Sequence, residues 1–220
     1  MDADALFMRI KTWIIELESG AIPPGQMLLI SAALRDGGVI AYPTETFYGL
    51  GAMATSGRGI DKVFRLKRRD RGKPLSIVVS DMSMAQEISA SVPSIARQLA
   101  EKFWPGPLTL VLKAHSGFPP AMLGPGRSVA VRVPGPAWLR ALVRHLGVPL
   151  TATSANLSGR GEISDPEKII RLFRGKVELV VDGGPTPGGL PSTIVDLTGN
   201  EPRLLRAGAI PEAALRRYFV

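Results

Sequence analysis

The chain has 220 residues, 45% hydrophobic and 21% charged, with 27 Lys and Arg against 19 Asp and Glu for a formal net charge of +8; this suffices for one sizeable core and favours a polyanionic partner such as a nucleotide or RNA. Cysteine is absent, which excludes disulfides, thiolate catalysis and cysteine-based zinc sites, and neither His115 nor His145 has a second histidine at metal-ligand spacing, so no structural metal is expected. No apolar run reaches the length of a membrane span, and Asp2, Asp4, Arg9, Lys11 and Glu16 break up the first apolar residues where a secretory signal would lie, so a soluble, cytoplasmic protein is expected.

Within residues 1–20, Leu6, Ile10, Trp13, Ile14 and Leu17 recur at helical spacing. An amphipathic helix is expected there, with a linker through Pro23-Pro24-Gly25, so that 1–25 stands apart from a catalytic domain over 26–220. A second helix over Gln26–Arg35 ends at Gly37-Gly38, and the apolar run from Val39 to Tyr42 reads as a buried strand stopped by Pro43. That strand delivers Thr44, Glu45 and Thr46 to a sheet end, where a glycine-rich turn at Gly49 and Gly51 allows close approach of a ligand. The plainer alternative is a turn whose hydroxyls satisfy local amides. Ile60, Val63, Phe64 and Leu66 carry a helix into a basic cluster of Arg65, Lys67, Arg68, Arg69, Arg71 and Lys73, opposed only by Asp70. Such a cluster is either a phosphate-binding surface or a solvated helix end.

Downstream, strands expected over 75–80, 108–113, 128–133, 149–153, 177–181, 192–197 and 203–206 are interspersed with helices over 82–89, 94–103, 137–145, 166–173 and 211–218. The alternation argues for an α/β fold, and the short connections between successive strands favour a twisted mixed sheet with flanking helices. No G-x-x-x-x-G-K-[ST] loop is present, and Gly49-Leu50-Gly51 lacks the third glycine of a dinucleotide fingerprint, so side chains must hold any phosphate. Lys67, Arg69 and Lys73 supply that charge. Arg132 and Arg206 each end an apolar strand, aiming a guanidinium above a sheet or simply capping an exposed terminus. Ser154 sits in no G-x-S-x-G elbow; Ser154 and Asn156 read as binding groups, with Asn156 alternatively stabilising its own turn.

Several segments, taken in order, carry a family resemblance: Pro43-Thr44-Glu45-Thr46 with Tyr48-Gly49-Leu50-Gly51, Lys67-x-Arg69, Lys73-Pro74-Leu75, Trp104-Pro105-Gly106-Pro107-Leu108-Thr109 and Val129-Ala130-Val131-Arg132-Val133-Pro134. They continue through Ser154-Ala155-Asn156-x-Ser158-Gly159, Asp182-Gly183-Gly184, Ser192-Thr193-Ile194-Val195-Asp196 and Arg206-x-Gly208. On these, residues 26–219 resemble the YrdC-like threonylcarbamoyl-AMP synthases. The resemblance implies a twisted mixed sheet around a deep basic concavity in which L-threonine, bicarbonate and ATP give threonylcarbamoyl-AMP and pyrophosphate. It also implies that the adenylate feeds N6-threonylcarbamoylation of adenosine 37 in tRNA, through partners in the transfer machinery. By the same resemblance Thr46, Arg132, the Ala152 backbone region and Ser192 bind threonine. Lys67, Arg69, Lys73, Ser128, Ser154, Asn156 and Arg206 contact ATP or the adenylate, with Lys67 and Arg69 in the catalytic role. Mg2+ accompanies ATP; its ligands are not legible, and Glu45 as a contributor is a guess.

Three positions depart from the family pattern: Val78 stands where many members carry a histidine, Asp70 replaces a frequent proline, and Gly161-Glu162 replaces a small polar pair. The first implies weaker threonine recognition. The competing class is a double-stranded RNA or tRNA-binding module of the same fold without synthase activity, reading backbone rather than stacked bases given 6% aromatic residues. A carbamoyl-transfer domain of the hydrogenase-maturation type is less favoured, because its accompanying cysteine-rich zinc segments and acylphosphatase are missing.

Overall fold

The computed structural model describes residues 10–219. Its elements in chain order are β1 (Trp13–Glu16), α1 (Gln26–Arg35), β2 (Ile40–Tyr42), β3 (Gly49–Gly51), α2 (Gly57–Lys67), β4 (Ser76–Val78), α3 (Met82–Ile88), α4 (Ser94–Phe103) and β5 (Leu108–Lys113). They continue with β6 (Ser128–Arg132), α5 (Ala137–Leu146), β7 (Leu150–Ser154), α6 (Pro166–Phe173), β8 (Leu179–Asp182), β9 (Thr193–Asp196), β10 (Arg203–Arg206) and α7 (Glu212–Arg216). The strands form one ten-stranded sheet in the order β1-β8-β2-β3-β7-β4-β6-β5-β9-β10. Its pairings are mixed: β1 and β2 run parallel to β8, β4 to β6 and β5 to β9, while the remaining neighbours are antiparallel. The twisted mixed α/β sheet expected from the sequence is therefore the observed architecture.

Two expectations are corrected. Residues 13–16 of the supposed amphipathic helix form an edge strand, while residues 1–9 lie outside the described residues. Trp13, Ile14 and Ile15 suit a strand as well as a helix, and β8 offers an open edge that satisfies the backbone beyond the ladder itself. Trp13 N donates to Glu178 O at 2.9 Å and Leu17 N to Asp182 O at 2.8 Å, while the Thr12 hydroxyl donates to Val177 O at 2.6 Å. Only Ile15 is buried, so the apolar periodicity of this stretch does not mark one packed face. The second correction concerns residues 49–51, read as a turn but forming β3 between β2 and β7. The Tyr42 ring lies across it: a Cβ on Gly51 would come within 2.7 Å of Tyr42 Cε1, and one on Gly49 within 3.1 Å of Cζ.

The larger core joins Ile40, Leu50, Ile77, Val131 and Val180 of the sheet to Leu34 of α1, Val63 of α2, Leu142 of α5 and Phe173 of α6. A smaller one packs Leu99 of α4 and Leu215 of α7 on Leu110 and Val195. Because strand side chains alternate faces, burying Ile77, Leu110, Val131 and Val195 turns their neighbours Val78, Thr109, Arg132 and Ile194 to the other side. There they line a cavity. Among the described residues no helix is long and apolar enough to cross a membrane.

Candidate active site

The face opposite the buried strand residues curves around a cavity of about 560 Å3, well within the range of small-molecule sites. Alternate residues line it: Ser76 and Val78 of β4, Thr109 and Val111 of β5, Ser128, Ala130 and Arg132 of β6, and Ala152 and Ser154 of β7. Thr44 and Thr46 enter from the loop after β2, Arg69 from the turn after α2, and Ser192 and Arg206 from around β9 and β10. Thus Thr46, Arg132, Ala152 and Ser192, named for threonine, share one cavity with Arg69, Ser128, Ser154 and Arg206, named for the nucleotide. Lys67, Asn156 and Lys73 are not among the lining residues.

The loop after β2 is at once a satisfied turn and part of the wall. Thr44 Oγ1 accepts from Thr46 N at 3.1 Å and Phe47 N at 3.2 Å, donates to Phe47 O at 2.7 Å, and lies 3.0 Å from Thr46 Oγ1. A hydroxyl-stabilised turn thereby presents the buried Thr46 hydroxyl to the cavity. Arg132 projects from the end of β6, with Nε donating to Gly106 O at 3.1 Å and Nη2 2.5 Å from Glu45 Oε1. This second contact is a close ion pair without hydrogen-bond alignment, since neither Nη2 nor either Glu45 oxygen has an aligned partner. Glu45 is committed to a cation and does not line the cavity, which argues against the metal role guessed for it.

Lys67 is the main correction to the predicted site. It was expected to be exposed in the concavity as a phosphate ligand, yet it is 1% exposed. Its Nζ donates to Ser154 O, to Asn156 O at 2.9 Å and to Asn156 Oδ1 at 2.7 Å, so all its N–H groups are spent. Its own carbonyl accepts from Ser158 N at 2.9 Å. Asn156 Oδ1 also accepts from Ser154 Oγ at 2.7 Å, and Nδ2 donates to Arg160 O at 2.5 Å. Lys67 and Asn156 therefore stand behind the wall and tie the loop that carries Ser154. Burial, with the Arg69 charge adding to it, pulls the Lys67 ammonium from the ordinary 10.5 down to about 8.

Helix α2 ends in a left-handed cap at Arg68, with φ 50°, which turns the chain so that Arg69 enters the cavity while Arg65, Arg68, Arg71 and Lys73 remain exposed. Arg69 is held by backbone: Nε donates to Lys73 O and Nη2 to Pro74 O, both at 2.9 Å. Desolvation lowers its pKa. The exposed members of the cluster fit the solvated-surface alternative. Arg206 donates through Nε and Nη2 to Ser192 O at 3.0 and 2.7 Å, and through Nη2 to Ser192 Oγ at 2.9 Å. The Ser192 hydroxyl lies 2.9 Å from Thr109 Oγ1, so Thr109, overlooked in the sequence, completes this group. The clasp requires Gly208, where a Cβ would lie 2.3 Å from Pro191 O and 2.6 Å from the Ser192 carbonyl carbon. Glu162, from the departing Gly161-Glu162 pair, also lines the cavity and counters the Arg206 charge.

A family model, Sua5/YciO/YrdC, described as telomere recombination, matches residues 32–208. The threonylcarbamoyl-AMP synthase of Pyrococcus abyssi is 36% identical over 203 residues, covering 92% of this chain and 56% of that protein. The threonylcarbamoyl-AMP synthase of Bacillus subtilis is 35% identical over 206 residues, covering 92% and 59% respectively. This chain thus spans less than two thirds of the length of these relatives. The crystal structure of P. abyssi Sua5 complexed with L-threonine is similar with a TM-score of 0.88 at 35% identity, covering 94% of this chain and 61% of that one.

Proposed function

We propose that this chain, which belongs to the Sua5/YciO/YrdC family, is an L-threonylcarbamoyladenylate synthase, a nucleotidyltransferase that makes threonylcarbamoyl-AMP and pyrophosphate from L-threonine, bicarbonate and ATP. The observation that carries the reading is the gathering of Arg69, Arg132 and Arg206 with the hydroxyls of Thr46, Ser128, Ser154 and Ser192 around one cavity. The reaction has to join two anions, and that is the arrangement it needs. The threonine nitrogen bonds to the bicarbonate carbon with loss of water, giving a carbamate. A carbamate oxygen then bonds to the α-phosphorus as the bond to the β-phosphate oxygen breaks, and pyrophosphate leaves with the electron pair.

L-threonine in the P. abyssi relative supports threonine as the amino-acid substrate; in this reading Arg132 holds its carboxylate and Thr46 its other polar atoms. Arg69 and Arg206 bind phosphate oxygens, Ser128 and Ser154 assist them, and Lys67 with Asn156 fixes the Ser154 loop from behind. Lys73, exposed and next in sequence to the cavity-lining Pro74, meets the outer phosphates in this reading. Positioned cations offset the repulsion and hold an in-line approach, so no covalent enzyme intermediate is required. Mg2+ enters as part of the ATP substrate, carried on its phosphates.

The adenylate would serve N6-threonylcarbamoylation at tRNA position 37 in the cytoplasm, handed to transfer partners. Exposed Arg65, Arg68, Arg71 and Lys73, close in sequence to the cavity-lining Arg69, favour an additional contact to tRNA or double-stranded RNA. The test is to incubate purified protein with ATP, bicarbonate and individual amino acids and to follow pyrophosphate and the acyl adenylate. Absence of both with threonine would sink the reading.

A further inference from the structure

We infer that Glu45 is a positioning residue for the amino-acid carboxylate: it holds the Arg132 fork in place from behind the cavity wall and never touches the substrate. The inference rests on the synthase reading. Arg132 lines the cavity and Glu45 does not, although its neighbours Thr44 and Thr46 do. Arg132 Nε is spent on Gly106 O at 3.1 Å, and Nη2 is drawn to Glu45 Oε1 at 2.5 Å. Nη2 is buried against Glu45, and Nη1, which makes no hydrogen bond among the described residues, is left to meet a carboxylate. The two side chains are only 10% and 22% exposed, so without its counter-charge the guanidinium would be a nearly buried, incompletely held cation. Both carboxylate oxygens and Nη2 lack an aligned hydrogen bond. The pair therefore holds the guanidinium by charge, with Nη1 left for an incoming anion.

Glu45 is itself held by backbone packing from another element. A Cβ on Gly135 would lie 3.0 Å from Glu45 Cδ and 3.2 Å from its Cβ and Cγ. The turn carrying Gly135 is clamped by Arg140 of α5, whose Nη1 donates to Pro134 O at 2.8 Å and to Gly135 O. Gly135 has no positive φ, so alanine there perturbs Glu45 by contact and not by backbone strain. This provides a way to move the carboxylate without removing it.

The experiment measures kcat and the separate KM values for threonine and ATP by pyrophosphate release, with thermal melts, for the wild type, Glu45→Ala, Glu45→Gln and Gly135→Ala. Glu45→Ala should raise the threonine KM by about tenfold or more, since loss of orientation alone can cost that much, while the ATP KM stays within about twofold. Glu45→Gln, which keeps the shape but removes the counter-charge, should lose nearly as much as Glu45→Ala, and Gly135→Ala should raise the threonine KM by about threefold with ATP unaffected. Parallel rises in both KM values with a lowered melting temperature would mean a merely structural residue and overturn the inference, as would an unchanged threonine KM in Glu45→Ala. A wild type that releases no pyrophosphate with any amino acid would overturn the synthase reading and this inference with it; the other two outcomes overturn the inference alone.

Discussion

Replacing Lys67 with methionine separates the two roles a lysine at this position can play. The substitution keeps most of the buried stem and removes only the ammonium, which donates to Ser154 O, Asn156 O and Asn156 Oδ1. Ser154 O still accepts from Asn156 N at 2.9 Å, and Asn156 Oδ1 still accepts from Ser154 Oγ. Asn156 O loses its partner. One orphaned buried carbonyl plus the lost charge-assisted bonds costs about 2–3 kcal/mol after relief of the buried charge is subtracted. For a chain of this size that lowers the melting temperature by about 4–12 °C.

The loss should also depend on pH. Lys67 titrates near 8 in the folded chain against an ordinary 10.5, so between those values the unfolded chain binds more protons and this group adds stability as pH rises. Lys67→Met has no such rise, and the stability gap between the two proteins should widen across the window. Tyr42 and Tyr48, whose hydroxyl pKa values burial raises, are common to both proteins and drop out of the difference. The assay is a pair of melting curves at intervals over that window, with the ATP KM measured alongside. A variant that melts within about 2 °C of the wild type yet no longer uses ATP would show that Lys67 meets the nucleotide directly, and the tethering argument would fail.

Arg69→Lys should cut kcat/KM for ATP by about tenfold, because an ammonium cannot hold Lys73 O and Pro74 O and still present a planar fork to phosphate; unchanged pyrophosphate release would remove Arg69 from the site. Gly208→Ala should destabilise the chain by about 3 kcal/mol in urea unfolding, through the 2.3 Å approach to Pro191 O, and should impair activity by loosening Arg206. Any tRNA binding should weaken steeply with salt and show little base preference, and adenylate synthesis should proceed without tRNA; a requirement for added tRNA would merge two steps kept apart here. Val78 lines the cavity in register with Arg132 on the adjacent strand, so Val78→His should sharpen discrimination of threonine from serine and valine in pyrophosphate release. Equal selectivity in the two proteins would mean that position 78 does not act on the substrate.

What was legible in the sequence was whatever repeats along one segment. In α5, Trp138, Leu139, Leu142, Val143 and Leu146 are buried on one face, and such periodicity survives without knowledge of the neighbours. The Ser128–Arg132 strand and its terminal guanidinium were legible for the same reason. Residues 13–16 were not, because Trp13-Ile14-Ile15 satisfies either pattern and only the open edge of β8 decides between them. Nor was the strand at Gly49–Gly51, whose glycines make room for the Tyr42 ring and therefore look like a turn until the ring is in place.

The site divides along the same line. Arg69, Arg132, Ser154, Ser192 and Arg206 carry groups that announce themselves, and their strands or turns deliver them to one face. Lys67 belonged by composition to a basic cluster, and only the acceptors at the end of β7 and on the loop after it, 87 and 89 residues away, turn it inward. The side chain with the most evident charge chemistry in its segment thus became the internal strut, while exposed Arg68 and Arg71 kept the solvated surface that composition had suggested. Glu45 makes the converse case. A carboxylate between two threonines invites a metal or a proton, but β6 brings Arg132 to it and the turn at Gly135 closes behind it, so its charge is used in the wall itself. A residue type states what chemistry is available; in a sheet whose neighbours are far apart in sequence, the strand order decides whether that chemistry faces the ligand or the protein.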